Sequence, residues 1–149
     1  LILPTIKSRA QQVHFPKKQA YLTERLEKEG LIKSQASLVA RFSFSLEEVE
    51  QQKKNATFFE LAKVCNQFIE RCHSNLNRAY LEVTRLVSLA DDKEKQSQAF
   101  RLMELSLEEQ LRLSRSQQLL EKLSLARTMW KANVSFQNAL EYMVLSLES

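Results

Sequence analysis

The sequence predicts an all-α protein: an elongated antiparallel helical bundle built on two long helices, about 46–90 and 92–148, with shorter helices before them. Three observations carry this. One Gly and two Pro among 149 residues leave too few turn formers for an all-β fold. Ala, Leu, Glu, Lys, Gln and Arg, the good helix formers, dominate the composition. From Phe58 to Ala90, apolar residues recur at alternating spacings of four and three: Phe58, Ala62, Cys65, Ile69, Cys72, Leu76, Ala79, Val83, Leu86, Ala90. That is the repeat of a helix that keeps one seam against its neighbours. Leu61, Val64 and Phe68 widen the first half of the seam, and Tyr80 and Val87 the second, so more than one neighbouring helix is expected.

Residues 1–15 read as an extended basic arm. Pro16 suits a first helical turn, and a helix from Lys17 to Glu29 points Tyr21, Leu22 and Leu26 inward. Gly30 ends it, with Leu31 folding back on Leu26 in a Schellman cap. Residues 31–44 alternate like a strand, but a lone strand leaves its backbone groups unpaired, so a helix from Ser34 to Phe42 is the reading chosen.

Ser45 and Glu48 form a capping box, with Phe44 and Val49 at the staple positions. Asp91 and Glu94 make a second box, which puts a turn near residues 90–92. Uninterrupted, the two long helices would span about 67 Å and about 87 Å at the α-helical rise. A compact chain of this size has a radius of gyration near ~15 Å. A compact alternative needs kinks near His73–Asn77 and Ser114–Gln118, where the pattern is most polar. The late apolar stripe runs Leu125, Met129, Ala132, Phe136, Leu140, Met143, Leu147, out of register with an early one, Phe100, Met103, Leu107, Leu111. Ser106-Leu107-Glu108-Glu109 repeats the tetrapeptide at Ser45 but reads as mid-helix.

The length fits a single helical domain spanning 1–149, and the start at Leu1 reads as a domain excised from a longer protein. No apolar run approaches 18 residues, the length of a membrane span. Cys65 and Cys72 lie about 10 Å apart along one helix, beyond the ~7 Å Cα separation a disulfide allows. Both read as buried small apolar residues in a reducing compartment, cytoplasm or nucleus. Asn55-Ala56-Thr57 and Asn133-Val134-Ser135 match the short glycosylation sequon, which is often accidental.

Catalytic groupings are not legible. His14 and His73 are the only histidines, and Cys65, Cys72 and His73 on one helix cannot gather around a metal. The single Glu-x-x-His, Glu70 to His73, lacks the second copy that di-iron bundles need. No Gly-rich phosphate loop exists. The chain therefore reads as not an enzyme, with no cofactor.

The function expected is a non-catalytic protein–protein interaction or scaffold domain, binding a partner helix or forming a homodimer. Trp130 and Tyr142 are amphipathic anchors of the kind that interfaces use, and Asn133 lies on their helix at a place where a polar residue can set register. The alternative is a binder of anionic surfaces, nucleic acid or acidic lipid. Residues 1–45 carry a net +5 and the rest −1, with Arg9, Lys17 and Lys18 near Phe15 as the candidate contacts.

Overall fold

The structure, a computed structural model, describes residues 19–110 and 115–147. These form eight helices and no strand: α1 (residues 19–28), α2 (Lys33–Phe42), α3 (Leu46–Gln52), α4 (Ala56–Ser74), α5 (Leu76–Leu89), α6 (Lys93–Glu109), α7 (Ser116–Lys131) and α8 (Phe136–Leu147). The chain divides into two compact units, residues 1–58 and 59–149.

In the first unit, α1 ends as expected. Gly30 has φ +109°, its N–H reaches the Glu27 carbonyl, and the Leu31 N–H reaches the Leu26 carbonyl, both at 3.1 Å. Those are the two bonds of a Schellman cap, and the left-handed conformation suits a residue without Cβ. Leu22 and Leu26 are buried, but Tyr21 is 66% exposed and does not point inward. Tyr21 precedes Leu22 by one residue, about 100° round the helix, which carries it off the buried edge.

Residues 33–42 are helical, as expected, and form no strand. Here α2 packs against α3 and buries Ala36, Val39, Ala40 and Phe42. The Phe42 ring meets Phe58 edge-on, with centroids 4.8 Å apart. The Ser45 hydroxyl accepts the Glu48 N–H at 3.2 Å. The return bond goes one residue further back than expected, because the Glu48 carboxylate accepts the Phe44 N–H at 2.9 Å. At the two staple positions Val49 is buried and Phe44 is 47% exposed.

The two long helices of the sequence reading are each three helices. Three asparagines account for most of the divisions. Asn55 turns the chain between α3 and α4, and its Oδ1 accepts the Phe58 N–H at 3.2 Å. Asn75 is a single extended residue (φ −155°, ψ 97°) whose Oδ1 accepts the Arg78 N–H. Asn133 has φ +74°. Asparagine offers the backbone a local partner that competes with the helical ladder, and it tolerates the left-handed region. Asn75 falls inside the first of the two places named for kinks. The other division lies between Glu109 and Ser116, where the Ser116 hydroxyl donates to the Gln110 carbonyl; Arg115 of the second place precedes α7, and Ser114 lies outside the described residues. Ser106 is therefore in the last turn of α6, not mid-helix, and its hydroxyl donates to Asn66 Oδ1 on α4 at 2.7 Å.

The turn at 90–92 is present, but the cap is Asp92, whose side chain accepts the Lys95 N–H at 2.8 Å. Asp91 instead takes the Lys95 ammonium at 2.9 Å.

In the second unit, α8 packs on both α5 and α7, and α6 packs on α7. The seam holds in outline: Cys65, Ile69, Cys72, Ala79, Val83 and Leu86 are buried, as are Val64 and Phe68 beside it. Tyr80 is exposed and does not widen it. The late stripe is correct only beyond the turn at 132–135. Phe136, Leu140, Met143 and Leu147 are buried, whereas Leu125 and Ala132 are exposed. The inner face of α7 is Leu119, Leu123 and Ala126. Four non-helical residues reset the phase, so a stripe drawn straight through them joins two different faces.

Candidate functional surface

Trp130 ties α7 to α6. Its indole N–H donates to Gln96 Oε1 at 2.8 Å, and the Gln96 amide donates on to the Ala90 carbonyl at 3.1 Å. The ring lies against Phe100, centroids 5.4 Å apart, and Phe100 meets Phe136 edge-on at 5.4 Å. The Lys93 ammonium sits 5.0 Å from the Trp130 centroid, within cation–π range. The residue is partly buried, with its polar edge satisfied inside the chain. The arrangement joins α6, α7 and the start of α8.

Asn133 lies not on a helix, as expected, but in the turn between α7 and α8. Its N–H bonds the Trp130 carbonyl at 3.1 Å and the Val134 N–H bonds the Met129 carbonyl at 3.0 Å, a second Schellman cap with asparagine in the usual glycine position. Ser135 then starts α8, its hydroxyl accepting the Asn138 N–H at 3.1 Å. Both sequon asparagines are thus turn formers, with Asn55 partly covered and Asn133 exposed.

Tyr142 is 49% exposed on the outer face of α8, with Leu145 three residues on at 52%. On α5, Leu81 is 69% exposed beside Tyr80. Leu81, Tyr80 and Leu145 were not singled out as surface residues from the sequence. The signal was present in Leu81 and Leu145, which are large apolar residues off their helix's stripe. Arg9, Lys17 and Lys18 lie outside the described residues.

Both thiols are free and buried. Burial pushes the Cys72 thiol up to about 12, and it raises Cys65 further. The Cys65 Sγ donates to the Ala99 carbonyl at 3.7 Å. A nucleophile needs the thiolate, so neither is poised to react. Aromatic disulfide reagents at pH 8 are expected to leave both untouched in the folded chain and to titrate both in denaturant; fast native labelling of either contradicts this.

Burial, with a smaller contribution from the Arg115 charge, holds His73 below its ordinary 6.5, while Gln110 pulls the other way. Neither His73 Nε2 nor Gln110 Oε1 has a hydrogen bond of good geometry. The unfolded chain therefore binds this proton more readily than the folded one. The stability from His73 is complete above the unfolded value and is lost as pH falls through it toward the folded value. The unfolding midpoint is expected to drop less between pH 7.5 and 5.5 in His73→Gln than in the wild type. Equal drops exclude the effect.

Glu70 is exposed and accepts from Asn66 on its own helix at 3.4 Å. Among the described residues, no three His, Cys, Asp or Glu side chains converge as a metal site, and no helix is long and apolar enough to cross a membrane. No family model, curated protein or solved structure matches the chain. The fold and surface define an all-α helical protein.

Proposed function

We propose that this chain is a non-catalytic interaction or scaffold module of an intracellular protein, cytoplasmic or nuclear, that binds a partner helix or a second copy of itself. The observation that supports it is the outward placement of Tyr142 and Leu145 on α8 and of Leu81 and Tyr80 on α5, two helices that pack on one another. Tyr142 and Leu145, three residues apart, share one face of α8; exposed large apolar side chains gain from being covered, and tyrosine suits the rim of such a contact. Two unpaired, buried cysteines agree with a reducing compartment.

Light scattering over a range of concentrations, combined with capture on the immobilised chain, tests the reading. Self-association or specific capture that is lost in Tyr142→Ser/Leu145→Ser, with the unfolding midpoint kept, supports it. A strict monomer that captures no protein counts against it.

A further inference from the structure

Among the described parts of the first unit, α1 has a thin apolar footing. It buries Leu22 and Leu26, while Tyr21, Glu24, Arg25, Glu27 and Lys28 are exposed.

Among the described residues, α1 and α3 share a set of ion pairs that closes on itself. Glu29 gives Oε1 to Arg25 Nε at 3.7 Å and Oε2 to Lys53 Nζ at 3.3 Å. Glu50 gives Oε1 to an Arg25 terminal nitrogen at 3.8 Å and Oε2 to Lys53 Nζ at 2.7 Å. Two cations bridge the same two carboxylates, so four charges alternate around a neutral ring. Arg25 and Glu29 come from the end of α1, and Glu50 and Lys53 from the end of α3. An isolated exposed pair contributes little, but a closed network is a different case, and the Lys53 side chain is only 11% exposed. Just beyond the ring lies Gly30, at positive φ with open space where a Cβ would be, followed by two non-helical residues before α2.

We propose that α1 is a releasable strap: the ring of Arg25, Glu29, Lys53 and Glu50 latches it to α3, and breaking or screening the ring lets it swing out about Gly30 while the second unit stays folded. Release uncovers the seats of Leu22 and Leu26. Elements held by few apolar contacts open at low free energy, without global unfolding. Four charges near the surface make the opening sensitive to ionic strength.

Amide hydrogen exchange on the full chain tests this, comparing wild type, Lys53→Met and Glu50→Gln at about 0.01 M and about 1 M salt, where the screening length falls from about 30 Å to about 3 Å. Amides of residues 23–28 are expected to exchange several-fold faster in both variants, and in the wild type at high salt, while those of α6 stay unchanged. The variants should lose the salt response. Equal acceleration in α6, unchanged exchange in residues 23–28, or a salt response that persists in both variants overturns the proposal.

Discussion

Phe100→Ala is expected to destabilise the second unit by about 3–5 kcal/mol, the usual cost of emptying a buried aromatic site. Phe100 is fully buried and touches Trp130 on α7 and Phe136 on α8 from its own place on α6. Its removal leaves a void shared by three helices, so no single rotamer change fills it. Phe100→Leu keeps most of the volume and should cost less than half as much. Denaturant unfolding followed by far-ultraviolet circular dichroism measures both. A loss under about 1 kcal/mol for Phe100→Ala would mean that the cluster collapses freely, contrary to close packing.

At Asn133 the expected effect depends on which residue is introduced. Asn133→Val forces a β-branched side chain into φ near +74° and should cost about 1–2 kcal/mol. Asn133→Gly keeps both cap hydrogen bonds, because the backbone makes them, and should change stability by only a few tenths of a kcal/mol. If the two substitutions behave alike in denaturant titrations, the turn does not hold this geometry.

The helical class was legible because it depends on properties every residue votes on: few glycines, good helix formers, and a sustained four–three spacing. Most of the core of α4 and α5 from Cys65 to Leu86 could be read for the same reason, the exceptions being Leu76, which is only partly buried, and Tyr80, which is exposed. What failed were decisions made by one side chain. Asn75 and Asn133 each sit in an otherwise helical context, and their cost inside a helix is a few tenths of a kcal/mol. Whether such a residue stays in the ladder or leaves it to cap the next helix depends on the packing it gains elsewhere. The proline-free, glycine-free stretch after residue 92 therefore read as continuous, although Asn133 supplies the left-handed residue that glycine usually provides. Ser106 was read correctly as lying within a helix, but its place in the last turn of α6 and its bond across to Asn66 were not legible. As for the candidate surface, Tyr142 was visible as an off-stripe aromatic. Trp130 had the same appearance, and only the position of Gln96 assigns its indole N–H to an internal partner.

Trp130 is the only tryptophan in the chain. Its emission therefore reports on the second unit alone, and an ammonium group over the ring together with a tied N–H makes that signal sensitive to how α6 and α7 are docked. Circular dichroism sums helices from both units. Superimposing the two melting curves distinguishes one cooperative transition from two, with no label introduced.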